Sequence, residues 1–85
     1  MKEFCLYPQA DKSKFFELCH LFEQIYPQFE KEDLFVDPLD DHLFQRYHYQ
    51  NNHAVIKLDC LWYQEIILSA NFDPISFLNA LKSAK

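Results

Sequence analysis

The chain contains no glycine at all. Average usage of roughly 7 % would put about six in a chain of 85 residues. The absence excludes whole classes of function before any pattern is read. P-loops, G-x-G-x-x-G dinucleotide folds, nucleophile elbows and EF-hand loops all need glycine, where the backbone turns sharply or approaches a ligand. The GXXG loop of K-homology domains and the usual RNA-recognition signature fall with them. Collagen repeats and Gly/Ser linkers go for the same reason.

Other scarcities narrow the field further. The three cysteines, Cys5, Cys19 and Cys60, are odd in number and show no CxxC spacing. No run approaches the ~20 apolar residues of a membrane span. Residues 1–10 carry an acid at position 3 and Pro8 but no apolar stretch, so they do not read as a signal peptide. These features together predict reduced thiols and a cytoplasmic protein. Basic residues are few, and Arg46 is the only arginine. Of the formal charge of −5, residues 21–42 carry −6, where seven acids face Lys31 alone, and the C-terminal stretch carries +1. An acidic surface repels phosphate, so nucleic-acid binding is not expected.

Aromatic residues are abundant, at 18 %, and large rings let a short chain bury more area per residue. An apolar fraction of 49 % with 25 % charged residues is that of a folded protein. One domain over residues 1–85, with a core that needs neither metal nor disulfide, is the expectation.

Lys2 to Tyr7 reads as a strand ended by Pro8. Asp11 or Ser13 is a helix N-cap. Phe15, Leu18, Cys19, Phe22, Ile25 and Tyr26 then form one apolar stripe at helical spacing, and Pro27 stops the helix. Residues 28–42 read as an acidic connection anchored by Leu34, Phe35 and Val36, which suit a short strand. From His42 to Ala70 the period changes to two. In a chain without glycine, Asn51-Asn52 is the natural hairpin turn, because asparagine tolerates left-handed geometry. Leu61 to Gln64 breaks the pattern before a strand over 65–70. Asp73-Pro74 opens a last helix with Ile75, Phe77, Leu78, Leu81 and Ala84 on its apolar side. The expected fold is α+β in two layers, with a three- to four-stranded, mainly antiparallel sheet and both helices on one face, in the order β-α-β-β-β-α.

Three constellations bear on chemistry. His42, His48 and His53, with Asp40, Asp41 or Cys60, are the metal-ligand candidates, but no CxxC or HxxxH pair is present. His48 and His53 straddle the expected turn and are read onto opposite sides of the sheet. No metal and no cofactor are therefore expected. Cys19 precedes His20, but adjacent helical side chains diverge, and both Cys19 and Cys60 lie on apolar faces, so neither reads as a nucleophile. No catalytic residues are assigned. The third constellation follows from the hairpin. A turn at Asn51-Asn52 pairs residues 48 with 55, 46 with 57 and 44 with 59. Arg46 then opposes Lys57, with Asp59 on the diagonal to offset the like charges. If the helices cover one face only, Phe44, Arg46, His48 and Lys57 lie on an open face, with Val55 and Ile67 around them. Trp62, between Leu61 and Tyr63, reads as the last buried residue of its strand.

The amphipathic helix, the acidic-to-strand transition, the aromatic stretch Leu61-Trp62-Tyr63 to Ile66-Ile67-Leu68 and the helix opening at Asp73-Pro74 together resemble small proteobacterial domains of unknown function. The likeness covers residues 43–82 and rests on spacing. It implies the α+β fold and carries no site residues across.

The functional expectation is a non-enzymatic interaction or accessory module, its partner a protein or a second copy of the chain. A small ligand-binding protein or enzyme is the first alternative, with Tyr47, Tyr49 or His48 in a pocket between sheet and helices. An acidic inhibitor or immunity-type protein acting through residues 23–41 is the second.

Overall fold

Alternating side chains over residues 43–70 can bury one face of a sheet only if the strands pair in register, and the short connections make that pairing antiparallel. The computed structural model, which describes residues 1–83, shows an α+β fold of this kind. Its elements are β1 (Lys2–Tyr7), α1 (Lys12–Ile25), β2 (Glu30–Lys31), β3 (Phe35–Val36), β4 (Leu43–Tyr49), β5 (Asn52–Asp59), β6 (Glu65–Ala70) and α2 (Ile75–Ser83). The six strands form one antiparallel sheet in the order β1-β6-β5-β4-β2, with β3 also on β4. Six strands replace the expected three to four because the acidic connection is itself partly strand. Its two short pieces share one edge of β4, β2 beside Tyr47 and His48 and β3 beside Leu43 and Phe44.

Asp11, not Ser13, caps α1, accepting a hydrogen bond from the Lys14 amide at 3.0 Å. Phe15, Leu18, Cys19 and Phe22 carry the apolar stripe into the core. The helix ends at Ile25, two residues before Pro27. On α2 the buried anchor is Phe77; Ile75, expected inside, is exposed. Pro74 stands just before α2, and its carbonyl accepts the bond from the Leu78 amide. Ala84 lies outside the described residues.

The core is one cluster in which Phe15, Phe22 and Phe77 meet Tyr47, Ile56, Leu58, Ile66 and Leu68. Phe22 is its hub. Its ring centroid lies 4.7 Å from that of Tyr47, 4.9 Å from Tyr26, 5.5 Å from Phe77 and 5.6 Å from Phe29. Both helices thus pack on the same side of the sheet.

The hairpin turn falls one residue earlier than the asparagines suggest. Tyr49 pairs with Asn52, so Gln50 and Asn51 make the turn, and Gln50 takes the left-handed conformation at φ 54°. The side chain of Asn71 holds this turn in place. It donates to the Asn51 carbonyl at 2.8 Å and accepts from the His53 amide at 2.7 Å. Moving the turn by one shifts the pairing by two residues, and a two-residue slip leaves every side chain on its face. The faces are as expected and the partners are not. Arg46 opposes Val55, Phe44 opposes Lys57, and His48 opposes His53. The two histidines lie on the same side of the sheet, as strand alternation requires in either register, and not on opposite sides.

Candidate functional site

Residues 44, 46 and 48 of β4, 55 and 57 of β5 and 67 and 69 of β6 alternate with the core positions and occupy the face away from the helices. The structure brings all four sequence candidates, Phe44, Arg46, His48 and Lys57, onto this face. Its centre is an aromatic ring approached by two cations, one from its own strand and one from the next. The Arg46 guanidinium and the Lys57 ammonium each lie 5.6 Å from the Phe44 ring centroid. The expected like-charge opposition is absent, because Phe44 stands across from Lys57 and Val55 across from Arg46. Contacts of this kind are worth about 0.5–1 kcal/mol each on an exposed surface. Among the described residues, no carboxylate lies within ion-pair distance of either cation. Phe35 of β3 extends the aromatic surface, its ring 5.7 Å from that of Phe44.

The periphery of the face is acidic and internally paired. His48 lies 3.0 Å from a Glu30 carboxylate oxygen and 3.2 Å from one of Glu32. On β1 the Cys5 thiol donates to Glu65 at 3.4 Å. Partial burial and then that neighbouring carboxylate raise the Cys5 thiol pKa. Cys19 is pushed up to about 12 by burial. Burial, then the charge of Asp41, raises Cys60, which is half-buried just past the end of β5 and not on its apolar face. All three thiols are thus raised above their ordinary value, Cys19 by the apolar setting expected of it and Cys5 and Cys60 with a neighbouring carboxylate adding to burial.

Asp59 departs furthest from its expected place. It is 2 % exposed and lies beyond the Leu43–Leu58 pair, not on the diagonal from Arg46. Oδ1 accepts hydrogen bonds from the Leu61 and Trp62 amides at 3.0 Å each, and Oδ2 accepts one from Tyr63 at 3.4 Å. Burial opposes its ionisation. The Trp62, Leu61 and Tyr63 amides, with His42 nearby, outweigh that cost and hold the carboxyl below its usual range. The loop so tied presents Trp62 at 76 % and Tyr63 at 77 % exposure, contrary to the buried tryptophan expected. Leu39, in the loop before His42, is 91 % exposed. Asp59 itself, a residue type whose side chain bonds the backbone two residues on, is the one sequence signal for this turn.

Tyr47, an alternative pocket residue, points into the core instead. Its hydroxyl donates to Glu23 at 2.7 Å and to the Cys19 carbonyl at 3.4 Å. Burial first, then Cys19 and Glu23, raise its pKa. Tyr49 packs its ring 5.8 Å from Phe29. A cleft of about 390 Å³ lies between α1 and the β2–β3 segment, lined in part by His20, Glu23, Lys31, Glu32 and Gln45.

No family model, curated protein or solved structure matches this chain. No helix among the described residues is long and apolar enough to cross a membrane.

Proposed function

We propose that the chain is a non-enzymatic interaction module that receives an acidic segment of a protein partner on its open sheet face. The observation that carries this reading is the Arg46–Phe44–Lys57 arrangement, two cations each 5.6 Å from the centroid of one half-buried ring, with no carboxylate of the described residues to neutralise them. An acidic side chain laid across Phe44 meets both cations, and the apolar flanks of Val55, Ile67 and Phe35 accept the rest of the segment. The exposed Trp62 and Tyr63 add aromatic anchors of the type that dominate interface energetics. The acidic stretch is the weaker docking surface. Glu23 is engaged by Tyr47 and Lys31, and Glu30 and Glu32 by His48.

Affinity capture from cell extract by wild type and by Arg46→Glu/Lys57→Glu tests the reading. The double variant is expected to lose the partner while its melting temperature stays within a few degrees of wild type. Wild-type capture should also weaken as salt rises, since the contact is ionic and exposed. Undiminished capture by a folded double variant removes the proposal. The cleft beside His20, Lys31 and Gln45 supports a second reading, a small-ligand site. Thermal stabilisation by a small molecule that Lys31→Ala abolishes, with Arg46→Glu/Lys57→Glu unaffected, would favour that one.

A further inference from the structure

The register that sets Leu43 opposite Leu58 continues one step further and brings His42 across from Asp59. His42 Nε2 lies 3.0 Å from Asp59 Oδ1. The ring is 6 % exposed, and Nε2 is fully enclosed without a hydrogen bond, because Asp59 stands close but out of line. A nitrogen of the same ring and carboxylate oxygens of Asp37 and Asp40 all lie within 4.8 Å of one another. Asp37 uses Oδ1 to accept from the Leu39 amide at 2.9 Å and the Asp40 amide at 3.4 Å, which leaves Oδ2 without a donor among the described residues. Asp41 takes no part, since it turns to Lys12 at 3.3 Å.

Two half-buried carboxylates beside a buried imidazole repel each other unless something positive sits between them. We propose that Asp37, Asp40 and His42 hold a divalent first-row transition ion that fastens the loop between β3 and β4. One imidazole and two carboxylates are a mixed nitrogen and oxygen set. Such a set suits Zn²⁺ or its neighbours better than Ca²⁺ or Mg²⁺, which take oxygen alone. Asp59 Oδ1, 3.0 Å from Nε2, is placed to become the outer carboxylate that ligating histidines usually have, receiving the Nε2–H when Nδ1 binds the ion. The exposed side of the loop leaves coordination positions to water. His48 is a different case, because Glu30 and Glu32 already occupy its two nitrogens. This site goes beyond the interaction reading and does not depend on it, although it borders the same face, with the His42 and Phe44 rings 6.3 Å apart.

Titration of the chelator-treated chain with ZnCl₂, followed by calorimetry and by the nitrogen resonances of the four histidines, tests the proposal. The expected result is a single saturable site, with His42 shifting first and the melting temperature rising with free Zn²⁺. The Asp37→Asn/Asp40→Asn variant should bind at least about tenfold more weakly and keep a wild-type circular dichroism spectrum, and Asp59→Asn should lose about tenfold or more by misorienting the ring. Millimolar Ca²⁺ or Mg²⁺ should not compete. Saturation with His42 unmoved, binding unchanged in Asp37→Asn/Asp40→Asn, or no heat and no shift at all would each overturn it.

Discussion

A side chain in the left-handed region crowds its own Cβ against the following carbonyl, at a cost of roughly 1–2 kcal/mol that glycine escapes. This chain must meet that cost wherever it turns tightly. It does so at Asp41, Gln50 and Gln64, with φ of 57°, 54° and 52°. Asparagine chemistry pointed to Asn51 and Asn52 instead, and the reason it misled is visible at Asn71. That side chain binds the carbonyl of Asn51 and the amide of His53, a bridge over 18 residues that no local preference reveals. The turn goes where a distant clamp fixes it, and Gln50 carries the strain. Gln50→Gly should leave stability within about 1 kcal/mol of wild type, because relief of the strain is offset by the freer unfolded chain. Gln50→Val should lose about 1–2 kcal/mol, since a β-branched residue tolerates positive φ poorly. Urea denaturation of the pair measures both. Equal stability of the two variants would show that Gln50 bears no strain.

Elements were legible where a single periodicity ruled them. The α1 stripe, the strand ends at Pro8 and Ala70, and the assignment of residues 43–58 to faces all follow from spacing alone. Register did not follow, yet the two-residue slip kept Phe44, Arg46, His48 and Lys57 together, so the candidate face survived the error. Asp59 did not survive it. Its role depends on the loop beyond β5, where the chain leaves the period that made it readable. As the end of the strand, Asp59 joins three loop amides and His42, and its stabilising effect must depend on pH. Its folded pKa is depressed, so the stability it contributes is present above the ordinary value of 3.8 and is lost as the pH falls through the lower folded value. Asp59→Asn should therefore cost about 1–3 kcal/mol at neutral pH and progressively less in acid. In metal-free buffer, amide exchange at Leu61, Trp62 and Tyr63 should quicken far more than exchange at Ile56. A uniform change across both groups would mean that Asp59 stabilises the whole fold and not its loop.

At the scale of the whole molecule the two faces of the sheet have separate duties. One face holds the core, where Phe22 touches four other rings; the other holds Phe44 with its two cations. A domain of this size has a stability of only about 5–15 kcal/mol, so a single deep truncation removes a large share of it. Phe22→Ala takes a fully buried ring out of the junction of α1, α2 and β4, and losses at such sites run about 3–5 kcal/mol. The melting temperature should then fall by roughly 12 °C or more, at about 4–8 °C per kcal/mol for a short domain. Phe44→Ala removes a half-buried ring from the face that no helix covers, and its effect should stay near 1 kcal/mol. The urea midpoint should follow the same order, with the slope unchanged if unfolding stays two-state. Comparable losses from the two substitutions would mean that the open face is part of the core. It could not then be free to take a partner, and the interaction reading would fall with it.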